Sequence, residues 1–107
     1  GLLQIKNALP EAFLGEVRYF KTAKEFLKNT EMYDVLLLDF YLDQDGITSA
    51  EIFDQIRPHA KIIIAFSSSH SANQKLKKLG VEFAVEKVWE DKNEALWNCL
   101  YEIFLKK

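Results

Sequence analysis

Two almost continuous hydrophobic runs constrain the fold of this chain more than any other feature of its sequence. They occupy residues 35–40 (VLLLDF) and 61–66 (KIIIAF). A strand with one face in water would alternate polar and apolar residues, so uninterrupted runs are typical of strands buried on both faces. Shorter β-rich segments at 16–20 and 83–87 are predicted as further strands. A sheet of this kind needs helices on both of its sides.

Helical segments alternate with these strands along the chain. Four start signals have the capping-box pattern, in which Ser, Thr or Asp precedes Glu or Gln by three residues. The pairs are Thr22 with Glu25, Thr48 with Glu51, Ser71 with Gln74, and Asp91 with Glu94. Pro58 and Gly80 are predicted to end the second and third of these helices. A short amphipathic helix is also predicted over 2–9. The alternation predicts an α/β fold with a doubly wound parallel sheet.

Composition narrows the class of protein. A chain of 107 residues with 49% hydrophobic content suits one domain over 1–107 with its own core. The net charge is -2, and no basic face typical of a nucleic-acid-binding protein is present. No apolar run approaches the roughly 20 residues that span a bilayer. Cys99 is the single cysteine and cannot form an internal disulfide. We therefore expect a soluble, cytoplasmic protein that binds neither nucleic acid nor membrane.

Polar residues follow three of the predicted strands at the point where each strand ends. Asp39 lies near the end of the second strand, Ser67 follows the third, and Lys87 ends the fourth. The carboxyl ends of parallel strands meet at one edge of an open sheet, where ligands bind. Aspartate is disfavoured in strands and costly to bury without a partner. A functional role for Asp39 is therefore favoured over that of a simple turn cap.

Three stretches of the sequence resemble a known family: YDVLLLDFYLDQDGITSAEIFDQIR, KIIIAFSSS and LGVEFAVEK. With them the chain resembles, from about residue 2 to its end, the receiver domain of two-component response regulators, which has a flavodoxin-like fold. The resemblance implies that Asp39 is the phospho-acceptor, that Ser67 hydrogen-bonds the phosphoryl group, and that Lys87 pairs with it. The resemblance locates the residue that carries this hydroxyl to within one position of Ser67. The backbone carbonyl of Tyr41 and the carboxylate of Asp39 are the implied ligands of Mg²⁺.

The resemblance also implies partners and a chemistry. A sensor histidine kinase or a phosphotransfer protein would donate the phosphate, and an output domain or a second copy of the chain would respond. A carboxylate can act as the nucleophile that takes a phosphoryl group. A divalent ion, a fixed cation and hydrogen-bond donors then stabilise the negative charge on the oxygens of the transferred phosphoryl group. We expect a self-phosphorylating acceptor rather than an enzyme with conventional turnover.

The start of the chain departs from the family. Family members begin with a buried strand that ends in two adjacent acidic residues, whereas GLLQIKNALPEAF resembles their first helix. Three explanations are open: the strand is omitted from the sequence, a partner supplies it, or the remaining strands have rearranged. Omission is the favoured explanation. Val88 also follows Lys87 where the family usually has proline, and a trans bond is expected there. These departures leave an alternative, a degenerate receiver that acts as a phosphorylation-independent interaction or dimerisation module.

Overall fold

The computed structural model describes residues 23–28, 31–42, 46–88 and 94–104. The α-helices in these ranges are α1 (Ala23–Leu27), α2 (Phe53–Ile56), α3 (His70–Leu79) and α4 (Glu94–Phe104), and 3₁₀ turns at Ser49–Ile52 and Arg57–His59 flank α2. The strands are β1 (Tyr33–Leu38), β2 (Tyr41–Leu42), β3 (Ile47–Thr48), β4 (Ala60–Ser67) and β5 (Phe83–Glu86). The predicted helix over 2–9, the predicted strand over 16–20 and the capping residues Thr22 and Asp91 lie outside the described residues.

Three of the strands form a parallel sheet in the order β1-β4-β5. The register aligns Leu36 with Ile63 and Ala65 with Ala84, so β4 is paired along both of its edges. This part of the chain confirms the prediction of an α/β fold with a parallel sheet. The two short strands β2 and β3, which the sequence did not predict, pair antiparallel to each other just after Asp39.

Side chains of β4 alternate between two hydrophobic clusters, one on each face of the sheet. Ile63 and Ala65 belong to the first cluster, which α2 and α3 cover, and Ile64 and Phe66 belong to the second, which α4 covers. Each of these four side chains is at most 1% exposed. Helices therefore lie on both sides of the sheet, as predicted. The prediction of complete burial is wrong for 35–37, which are half-buried, because β1 pairs with only one neighbour among the described strands.

Helix ends follow local hydrogen bonding, and one predicted start is wrong. The Thr48 N–H donates to Oε2 of Glu51 at 2.7 Å, which confirms that capping pair. The cap of α3, however, is Ser69, whose hydroxyl accepts from Ala72 N–H at 3.3 Å. Ser69 has extended backbone angles, whereas the predicted cap, Ser71, already lies inside the helix. Gly80 ends α3 with a φ of 114°, a left-handed conformation that glycine adopts without steric cost.

A polar clasp fixes the amino end of β4. Arg57 Nη1 donates to both carboxylate oxygens of Glu82 at 3.0 and 2.9 Å, and Nη2 donates to the carbonyls of Ala60 and Lys61. Glu82 Oε1 also accepts from the N–H of Ile63 at 2.8 Å. The clasp thus joins the turn after α2 to the start of β4 and to the residue before β5. Within the described ranges, no helix is long and apolar enough to cross a membrane.

Replacing Glu82 by alanine should destabilise the protein by about 1 to 3 kcal/mol, because Arg57 and the Ile63 N–H both lose an acceptor. Urea denaturation measures the change. The matched control is Asp34→Ala, since Asp34 forms an ion pair with Lys61 at 3.5 Å in which both side chains are more than 65% exposed. That exposed pair should contribute at most about 0.5 kcal/mol. Equal losses for the two variants would contradict the assignment of a structural role to the clasp.

Candidate functional site

The carboxyl edge of the sheet brings Asp39 and Lys87 together. Asp39 directly follows β1, and Lys87 directly follows β5, on the far side of β4. Two strand spacings amount to roughly 10 Å, a distance that the two side chains and the contact between them span together. The Lys87 Nζ lies 3.2 Å from Asp39 Oδ2. The first and third strands of the described sheet are thus joined by an ion pair across the end of β4.

The two members of this pair differ in exposure. The Lys87 side chain is 6% exposed, whereas that of Asp39 is 42% exposed. The Nζ also lies 5.4 Å from the centroid of the Phe66 ring, close enough for a cation–π contact. A buried ammonium is costly without an opposite charge, so the carboxylate compensates it. Because Asp39 faces solvent, a ligand could reach its carboxylate while Lys87 stays covered.

The main chain of Ser67 is hydrogen-bonded to the main chain of Lys87. Its carbonyl accepts from Lys87 N–H at 3.0 Å, and the residue is 2% exposed. Its hydroxyl oxygen accepts from Ser69 N–H at 3.2 Å, which leaves the hydroxyl hydrogen available for donation. Of the neighbouring serines, Ser68 is exposed and Ser69 caps α3. Ser67 is therefore the one of the three that is buried at the sheet edge.

Asn73 is a part of this edge that the sequence did not reveal. Its side chain is 2% exposed and makes three hydrogen bonds. Oδ1 accepts from Ser67 N–H at 3.1 Å, and Nδ2 donates to the carbonyls of Ser67 and Val85 at 3.0 and 3.2 Å. Asparagine is unfavourable inside helices, so an asparagine on the apolar side of a predicted helix was the available signal. The residue ties α3 to the last residues of β4 and β5.

The described residues only partly fit the implied magnesium site. Asp39 offers a carboxylate oxygen of the kind that Mg²⁺ prefers, and Tyr41 lies two residues later in β2. The ammonium of Lys87 beside that carboxylate opposes the approach of a second cation. No group of three or more His, Cys, Asp or Glu side chains that could hold a metal occurs among the described residues. These residues do not make up a magnesium site by themselves.

Cys99 is a second nucleophilic group, and its environment makes it unreactive. It lies in α4, in the second hydrophobic cluster. Burial, with a smaller effect of the negative charge of Glu102, raises the pKa of the Cys99 thiol to about 11, although Lys77 acts in the opposite direction. A thiol with this pKa is almost entirely protonated at neutral pH, and only the thiolate is a strong nucleophile. Cys99 is therefore a poor nucleophile at neutral pH.

Comparisons with known proteins found no relative. No family model matches the sequence, and neither the curated proteins nor the solved structures contain a match to this chain. The resemblance to receiver domains therefore remains a prediction that depends on the residues themselves. The peptide bond before Val88 is trans, as expected from the absence of proline there.

The unequal exposure of the ion pair leads to unequal effects of substitution. Asp39→Asn should destabilise the fold by about 1 to 2 kcal/mol, because it removes the negative charge that lies 3.2 Å from the buried ammonium. Lys87→Met should be neutral or stabilising, since Asp39 is partly hydrated and the methionine fills an apolar site. Urea denaturation of both variants measures the difference, with exposed Asp54→Asn as the control. A larger loss for Lys87→Met than for Asp39→Asn would overturn this description of the pair.

Proposed function

We propose that this chain is a phosphoacceptor receiver domain in which Asp39 takes a phosphoryl group from a phosphohistidine. The observation that carries the proposal is the position of Lys87 Nζ, 3.2 Å from a carboxylate oxygen that lies at the solvent-facing edge of a parallel sheet. An aspartate at the end of a strand, held beside a buried cation, is suited to accept a dianionic group and to keep it.

The proposed fold is the flavodoxin-like receiver fold. The parallel order β1-β4-β5 and the helices on both faces are compatible with it. In such folds ligands bind beyond the carboxyl ends of the strands, which is where Asp39, Ser67 and Lys87 lie. The proposal therefore agrees with the sheet, although a parallel sheet of this size hosts many functions.

The proposed reaction is a phosphoryl transfer between two nucleophiles. A carboxylate oxygen of Asp39 attacks the phosphorus, an oxygen–phosphorus bond forms, and the phosphorus–nitrogen bond of the phosphohistidine breaks. The electron pair of that bond returns to the imidazole nitrogen of the donor, which takes up a proton. The product on this chain is an acyl phosphate, a mixed anhydride that water later hydrolyses to restore Asp39.

Lys87 and Ser67 act on the charge that the transfer brings in. Before transfer, the Lys87 ammonium pairs with the carboxylate, and afterwards it would pair with a phosphoryl oxygen. The Ser67 hydroxyl can donate its hydrogen to another phosphoryl oxygen. Both groups lie in a largely dry region, where electrostatic interactions are stronger than in water. Positioning and charge compensation are the contributions expected of these residues.

Magnesium and the partners belong to the same proposal. Mg²⁺ would be held by the Asp39 carboxylate and the Tyr41 carbonyl, with water and the phosphate of the donor as further ligands, and it would neutralise phosphoryl charge. The donor would be a sensor histidine kinase or a phosphotransfer protein. An output domain or a second copy of the chain would read the phosphorylated state.

An interaction module that needs no phosphate is the second candidate. Val88, Tyr101 and Phe104, which follow β5 or lie on α4, are 43%, 56% and 43% exposed. A contiguous patch of such side chains would be typical of a protein-binding surface. Under this proposal the pair of Asp39 and Lys87 would be purely structural, and substitution at Asp39 would leave partner binding unchanged.

Intact-mass spectrometry after incubation with acetyl phosphate, with and without Mg²⁺, tests the first candidate. We expect an added mass of about 80 Da, the mass of one phosphoryl group. Hydroxylamine should remove it, because an acyl phosphate reacts with this nucleophile whereas a serine phosphate does not. Asp39→Asn should abolish the adduct, and exposed Asp54→Asn should leave it unchanged. A folded wild-type protein that acquires no adduct, or an adduct that persists in Asp39→Asn, would refute the proposal.

A further inference from the structure

We propose that Asn73 is a positioning residue of the phosphoryl-transfer site, which sets the geometry of Ser67 and Lys87 from within α3. The inference rests on the proposed function of Asp39. Asn73 makes no described contact with Asp39, and it would act through the backbone of Ser67 and Val85.

The side-chain amide of Asn73 bonds two adjacent strands at once, at the last residue of β4 and the next-to-last residue of β5. Oδ1 accepts from the Ser67 N–H, and Nδ2 donates to the carbonyls of Ser67 and Val85. The Ser67 carbonyl is shared, since it also accepts from the Lys87 N–H at 3.0 Å. One side chain therefore fixes the backbone of Ser67 directly, and that of Lys87 through the shared Ser67 carbonyl.

Because Asn73 is buried, the loss of any of its side-chain hydrogen bonds should be costly. Asn73 is 2% exposed, so water cannot replace a lost hydrogen bond in place. The Asn73 N–H donates to the carbonyl of Ser69, the cap of α3, which places the amide within the first turn of that helix. A rotation or shift of α3 would thus move the backbone at Ser67 and Val85 with it.

The experiment compares Asn73→Ala with the wild-type protein in the acetyl phosphate reaction, over a range of donor concentrations. The maximal rate per folded molecule should fall about 10-fold to 100-fold, a loss typical of a small misplacement of reacting groups. The half-saturating donor concentration should change little, because Asn73 does not contact the donor. Gln74→Ala, an exposed neighbour in the same helix, is the control and should react at the wild-type rate.

Hydrogen exchange supplies a readout that does not need phosphorylation. In Asn73→Ala the amide hydrogens of Ser67 and Lys87 should exchange faster, while that of Ile64, in the middle of β4, should keep its protection. If Asn73→Ala does not fold, Asn73→Asp takes its place. Aspartate keeps the volume and the acceptor for the Ser67 N–H but, when ionised, lacks the donor to the two carbonyls, and the same loss of rate is expected.

The outcomes separate this inference from the proposed function. Slow transfer in a folded Asn73 variant with faster exchange at Ser67 and Lys87 supports a positioning role. A wild-type rate per folded molecule overturns it and leaves the role of Asp39 intact. A wild-type protein that accepts no phosphate refutes the proposed function and the positioning role together, and the exchange data then show whether Asn73 only stabilises the sheet edge.

Discussion

Burial of β4 on both faces is the constraint on which the rest of this structure depends. Ile63, Ile64 and Ala65 have no exposed surface, and the two hydrophobic clusters in the described part of the chain lie on opposite sides of this strand. Apolar surface removed from water contributes about 25 cal/mol per Å², so the buried side chains of this strand stabilise the fold. Its neighbours β1 and β5 and its covering helices are ordered by packing against it.

Different polar side chains form the ion pairs and hydrogen bonds at the two ends of β4. At the amino end, Arg57 and Glu82 pair with one another, and each also hydrogen-bonds the nearby backbone. Both side chains are only about one-third exposed. At the carboxyl end, Asn73 hydrogen-bonds the backbone of Ser67 and Val85, and Lys87 pairs with the carboxylate of Asp39, whose side chain is 42% exposed. The two charged groups at the amino end thus compensate each other. At the second end a half-exposed carboxylate lies beside a buried cation, and this difference is why we propose the phosphoryl chemistry for the carboxyl edge.

Much of this arrangement could be predicted from the sequence, because it depends on local patterns. The hydrophobic runs predict β1 and β4, Gly80 predicts the end of α3, and strand ends predict the proximity of Asp39 and Lys87. The Asn73 bonds and the clasp of Arg57 could not be predicted, since they join residues that meet only after the sheet forms. The cap of α3 was misplaced because Ser69 and Ser71 are both good capping residues, and the backbone geometry decides between them. The role of Asp39 itself is a proposal from resemblance and geometry.

Fluorine NMR of beryllofluoride binding tests the central claim, that the edge formed by Asp39 and Lys87 accepts a phosphoryl group, most directly. Beryllofluoride bound to a carboxylate has the tetrahedral shape and charge of an acyl phosphate and does not hydrolyse during the measurement. With Mg²⁺ present, the account predicts distinct resonances of bound fluoride that vanish in Asp39→Asn and weaken in Lys87→Met. Folded wild-type protein that gives only the resonances of unbound beryllofluoride, or bound resonances that survive in Asp39→Asn, would contradict it.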